Sequence, residues 1–215
     1  MNRKKALVLH GGWKWHYPTE LADLTVNRLL EGYVVECTDD LSILESNRLH
    51  EFDVIIPIWT ADELSIMQEQ ALVKAIERGV GLVGWHALAG AFDSSHPHKF
   101  FKMVLGGHVL GHPGDFIEYE VDFPKDDPLT DGLSSFKLFS EQYYMHTDPG
   151  NDVIATTVMD GDEFTWLKGN QMPVAWKRQW GKGRVFYHTL GHSTKEFEIH
   201  EVMELTIRGI RWATR

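Results

Sequence analysis

The chain is short of thiols, cations and long apolar runs. Its single cysteine, Cys37, excludes an internal disulfide and makes a cysteine-based metal site untenable. No apolar stretch approaches the roughly 18 residues of a membrane-spanning helix. Lys and Arg total 21 against 31 Asp and Glu, a formal net charge of −10. That balance repels nucleic acid and anionic lipid, so neither nucleic acid nor membrane is expected as a partner. No GxGxxG or Walker pattern occurs, and no nucleotide cofactor is expected. Repeats, low-complexity tracts and linkers are missing too, so a single domain over 1–215 is the simplest organisation. The start, MNRKKALVLHGGW, is basic and then apolar for only five residues. That is too short for a signal-peptide core and reads as a first strand, with a cytoplasmic location expected.

Histidine is plentiful, at 12 residues in 215. Imidazole is both a common metal ligand and a proton carrier near neutral pH. The question is which histidines the fold gathers.

The first half alternates strand and helix signals. KALVLH (5–10) is a short apolar run closed by Gly11 and Gly12. Residues 19–31 carry Ala22, Val26, Leu29 and Leu30 at helical spacing, and 33–38 read as a second strand. DVIIPIW (53–59) is almost wholly apolar, as for a strand covered on both faces, with Pro57 expected near its end. Thr60 and Glu63 have capping-box spacing, and Leu64, Met67, Ala71 and Ala75 mark the face of a helix closed by Gly79. Residues 80–85 form the next strand. This order predicts an α/β fold with a flavodoxin-like parallel sheet flanked by helices. From about 114 to 178 the pattern shortens to segments such as FIEYEVDF, predicting an antiparallel β-rich insertion. GRVFYHTL (183–190) reads as the last core strand, and 195–212 as a closing helix with Val202, Leu205, Ile210 and Trp212.

Open parallel sheets bind ligands beyond the carboxyl ends of their strands. Those ends carry His10, Trp13, Trp15 and His16 after the first strand, Trp59 and Thr60 after the third, Trp85 and His86 after the fourth, and His188 to His192 after the last. GVGLVGWHALAG (79–90) reads as a strand that turns sharply and presents His86 where other enzymes place a nucleophile. Convergence of these ends makes His86 and His192 candidate catalytic residues. His10, His16, His86 and His192 are candidate metal ligands. Trp13, Trp15, Trp59, Trp85 and Tyr143 are candidate walls for a sugar ring. In SEQYYMHTD (140–148), Glu141 is a carboxylate placed to act as a base or to complete a metal site, while His146 has no assigned role. In LGGHVLGHPG, His108 and His112 are four apart, but Gly111 and Pro113 oppose a helix, and a tight loop is the plain alternative. His96 and His98 flank Pro97 in a polar loop and read as surface. Asp126, Asp127, Asp131, Asp160, Asp162 and Glu163 read as turn chemistry.

HGGWKWH, GVGLVGWHALAG, LGGHVLGHP, SEQYY and PVAWKRQWGKGRVFYHTLGHS together resemble the trehalose-utilisation, ThuA-like family. The likeness extends to RGIRWA (208–213), nearly the whole chain. It implies a fold like the class I glutamine amidotransferase domain. There the bend carries a nucleophilic cysteine, and here His86 stands in its place, so glutamine hydrolysis is not expected. The family often has an acidic residue just before the Glu-Gln-Tyr segment. Here that residue is Ser140, one carboxylate fewer. The resemblance also ties the chain to trehalose and related disaccharides, through 3-keto sugars.

Two readings follow. In the first, the chain is an enzyme acting on a disaccharide or 3-keto-sugar by metal-assisted or His/Glu acid–base chemistry: isomerisation, elimination or hydrolysis. Neutral imidazole and carboxylate suit a divalent metal, zinc first. In the second, the chain is a non-catalytic sugar- or metal-binding module. A homo-oligomer is compatible with either.

Overall fold

The computed structural model describes residues 3–92 and 100–215. His96 and His98 lie outside them. Strand β1 (Lys5–Gly12) pairs in parallel with β2 (Val34–Thr38) and β3 (Val54–Thr60). Strand β4 (Gly81–Trp85) pairs in parallel with β3 and with the late strand β11 (Gly183–His188). The sheet then continues antiparallel through β10 (Gln171–Trp180) to β9 (Asp152–Val158). The order β2-β1-β3-β4-β11-β10-β9 is that of a flavodoxin-like parallel sheet with β10 and β9 added through antiparallel pairings. The sheet is therefore mixed rather than wholly parallel.

Alternate residues of each central strand feed two cores. Ala6, Val8, Ile56, Val83 and Phe186 pack under α1 (Pro18–Leu24) and α4 (His200–Ala213). Leu7, Leu9, Ile55, Leu82 and Tyr187 pack on the other face, under α2 (Ile66–Glu77) and α3 (Phe100–Leu105). Helix α4 sits on the sheet through Val202, Leu205, Gly209, Ile210 and Ala213.

Several expectations are corrected. Thr60 ends β3 and caps nothing. Ala61 and Asp62 follow in left-handed backbone (φ 60° and 58°), and the capping box is one turn later, at Ser65 and Gln68. Its two bonds are Gln68 N–H to Ser65 Oγ at 3.1 Å and Ser65 N–H to Gln68 Oε1 at 3.0 Å. The helix face rotates accordingly: Leu72, Ala75 and Ile76 are buried, and Met67 is exposed. The helix expected over 19–31 is α only to Leu24. It then widens to a π turn over Thr25–Leu29, where the Thr25 hydroxyl donates back to the Leu21 carbonyl at 2.7 Å. Pro57 sits inside β3, not at its end. The β3–β4 pairing stops at Ile55, two residues earlier.

The β-rich region begins before residue 114. Strand β5 (Gly107–Gly111) pairs with β8 (Tyr144–Thr147), and β6 (Phe116–Val121) pairs with β7 (Phe136–Glu141). These two small antiparallel sheets carry Glu141 and Tyr143 to the rim formed by the carboxyl ends of β1, β3, β4 and β11.

Candidate metal centre

His86 follows β4 at once, in left-handed backbone with φ 45°. A non-glycine residue there is strained, and strain of this kind recurs where a bend must present one side chain. The bend is tight: a Cβ on Gly84 would lie 2.0 Å from Leu88 Cδ2. His86 is only 2% exposed. Its Nδ1 lies 3.0 Å from the Thr189 carbonyl, which can only accept, so Nδ1 carries the proton and Nε2 is left as a lone-pair donor. Metal-binding histidines are oriented by this same bond.

Two further donor atoms meet at that nitrogen. His86 Nε2 is 3.1 Å from His192 Nδ1 and 3.2 Å from Glu141 Oε2, and His192 Nδ1 is 3.6 Å from the same carboxylate oxygen. Bonds of about 2.0–2.1 Å in a tetrahedral zinc site place neighbouring donors about 3.4 Å apart. The observed triangle is close to one face of such a tetrahedron. His16 adds a fourth group, with one donor atom from each of the four residues lying within 4.8 Å of the rest. His16 comes from the 3-10 turn Lys14–His16 after β1, and its Nδ1 is 2.9 Å from Thr60 Oγ1. Burial and the neighbouring His86 and His192 lower its pKa to about 4, so it is neutral at pH 7. Burial opposes ionisation of Glu141, but the adjoining His192 and His86 imidazoles outweigh it and hold the carboxyl well below its usual range. The donor set of three imidazoles and one carboxylate thus fits a divalent cation.

Around the centre, the Tyr143 hydroxyl is 3.0 Å from His86 Nε2, and its ring stacks on His86 at 4.6 Å. Burial raises the Tyr143 pKa well above 10, so it stays a proton donor. Trp13 meets His16 edge-on at 4.9 Å, and Phe116 meets His192 edge-on at 4.9 Å.

The remaining expected residues divide. Trp13 and Trp15 are more than half exposed, as an open wall requires. Trp59 and Trp85 are buried, at 6% and 3% exposure. Trp59 is bonded to Asp62 and leans on Phe92, and Trp85 stacks on His188 and abuts Phe197. His10 lies on β1 opposite Ile58 and is not in the cluster. His188 is fully buried against Thr206, and His108 faces His146 across the β5–β8 pair.

Two residues that matter here are not evident from sequence. His112 places Nε2 3.8 Å from Glu141 Oε1; the LGGHVLGHPG segment flagged it, but a strand followed by a loop has no helical spacing to read. Glu196 accepts from Ser140 Oγ at 2.6 Å and from Gly191 N–H at 2.7 Å. It thereby ties the segment bearing Glu141 to the turn bearing His192. No local signal distinguishes it from the other acidic residues of 194–204.

Comparisons agree with the fold. The trehalose-utilisation family model, ThuA, matches residues 5–213. A ThuA-like protein from Bacteroides uniformis superposes with a TM-score of 0.77 at 22% identity, over 98% of this chain and 91% of that one. A ThuA-like protein from Parabacteroides merdae gives 0.75 at 19% identity, over 99% and 90%. A β-galactosidase from Bacillus circulans gives 0.60 at 13% identity, over 98% of this chain but 30% of that one. At these identities the structures show a shared fold alone. No protein of curated function matches. With a family model spanning β1 to the end of α4, the chain belongs to the trehalose-utilisation (ThuA) family.

Proposed function

We propose that the chain is an enzyme that processes a disaccharide or keto-sugar at a divalent-metal centre made by His86, His192 and Glu141, with His16 as fourth ligand or as base. The observation that carries this is the 3.1, 3.2 and 3.6 Å triangle of nitrogen and oxygen donor atoms in a buried site. A bound zinc ion would polarise a sugar carbonyl or hydroxyl oxygen.

The chain's own groups supply the proton handling. The Thr189 carbonyl fixes the His86 tautomer. His16, neutral at pH 7, is able to accept a proton beside the centre. Tyr143, protonated, is able to donate one. Isomerisation, elimination and hydrolysis all use that pairing of base and acid. Exposed Trp13, edge-on to His16 at 4.9 Å, and exposed Trp15 offer flat faces to a pyranose. The scaffold is amidotransferase-like, with His86 replacing the thiol that glutamine hydrolysis needs.

The test is metal content first. Protein made without a histidine tag and without chelators should carry close to one equivalent of metal by elemental analysis. His86→Ala should lose that metal and lose turnover on a keto-sugar panel while keeping its circular dichroism. Metal-free wild-type protein that still turns over would refute the metal centre. Metal-loaded protein inert on every sugar would favour the binding-module reading.

A further inference from the structure

The inner side of the centre has no room for a substrate. The space bounded by His16, Trp59, Trp85 and His86 is about 10 Å³, the size of a water at most. His112 is the link to the roomier side. Glu141 presents Oε2 to His86 and His192 and Oε1 to His112, and His112 also lines a cavity of about 790 Å³. That volume is within the range of small-molecule sites, roughly 300–1,000 Å³.

The lining selects a kind of occupant. Trp166 is 75% exposed, more than Trp13 or Trp15. Its turn, Thr165–Leu167, is fixed by Leu167 N–H to Phe164 O at 2.8 Å and Gly169 N–H to Met159 O at 2.9 Å. Phe164 supports the indole at 5.3 Å. Beside a cavity, an exposed indole backed by a second ring offers a flat apolar face to a ligand. Asp115, Glu163 and Tyr144 offer hydroxyl-binding groups along the same walls, while neither Lys nor Arg lines the cavity. Anionic ligands such as sugar phosphates are thereby disfavoured. A neutral ring with one apolar face and a rim of hydroxyls matches the set.

We propose that this cavity binds the second, uncharged sugar ring of a disaccharide or glycoside whose first ring lies at the His86–Glu141–His192 centre. The linkage between the rings then falls beside His112. This inference rests on the sugar-processing reading above.

The test compares trehalose, maltose and cellobiose with glucose by calorimetry on metal-loaded protein, in wild type, Trp166→Ala and Trp166→Phe. At least one disaccharide should bind wild type tenfold or more tightly than glucose. Trp166→Ala should erase that ratio without changing metal content, and Trp166→Phe should restore part of it. If wild type binds disaccharides with the expected preference and Trp166→Ala keeps it, the cavity is not the second subsite, and the sugar reading survives. Equal affinity for glucose and disaccharides in wild type also overturns the subsite. Binding of none of the four sugars would overturn the subsite, while the sugar reading itself stands or falls on the keto-sugar turnover panel.

Discussion

Glu196 offers the sharpest test of how the centre is held. It is buried at 7% exposure and accepts from Ser140 Oγ and Gly191 N–H. Glu196→Ala strands both donors, and the Ser140 side is itself 1% exposed. Each lost bond to a carboxylate costs about 1.5–3 kcal/mol. The pair together should cost about 3–5 kcal/mol, or about 6–20 °C in Tm for a chain of this size. The functional effect should be separate. His192 directly follows Gly191, so a loosened turn displaces one corner of the donor triangle, and zinc affinity should fall about 10–100-fold. Glu196→Gln should do far less. Its Oε1 still accepts from Gly191 N–H, and its Nε2 donates to the Ser140 hydroxyl, which reverses its role, at a cost of under about 2 kcal/mol. Urea unfolding followed by circular dichroism, and zinc competition against a chromophoric chelator, read the two effects. Unchanged zinc affinity in folded Glu196→Ala would refute the tether. A Gln variant as weak as the Ala variant would show that charge, and not the two bonds, matters.

Acid should destabilise the fold through His188, which burial and the nearby His86 hold at a pKa of about 3, against an ordinary 6.5. Between those values the unfolded chain binds a proton that the folded one refuses, so stability falls as pH drops from 6.5 to 3, by up to about 1.4 kcal/mol per pH unit. His188→Gln should flatten that slope in urea titrations across the window, and an unaltered slope would clear His188 of the effect. Gly12 has φ 80°, and a Cβ there would lie 1.9 Å from the Thr60 carbonyl oxygen, which also accepts the Trp13 N–H. Gly12→Ala should therefore cost more than about 3 kcal/mol and lower metal affinity by displacing His16; a variant with wild-type melting and zinc binding would overturn that account.

The parallel core was legible because its signal is local. The apolar runs of β1, β3 and β4 and the amphipathic period of α4 each state their burial within a few residues. The His86 bend was legible for a similar reason, since a small residue two positions earlier and an apolar strand before it form a contiguous pattern. The start of α2 was misread because Thr60 and Glu63 have capping-box spacing as good as that of Ser65 and Gln68. Only the left-handed Ala61 and Asp62, which lead β3 around the rim, decide between them.

By itself, then, the amino-acid order determined a doubly wound parallel sheet, the strand-end position of His86, and a surplus of imidazoles on the rim loops. Tertiary structure alone decided which of them meet. His16, His86, Glu141 and His192 come from four separated segments, and their donor atoms close to within 4.8 Å only because β11 inserts beside β4 and β7 folds over the rim. Periodicity encodes which face a residue takes on its own element. The distance between two elements is set by how their buried faces pack, and no short stretch of chain records it.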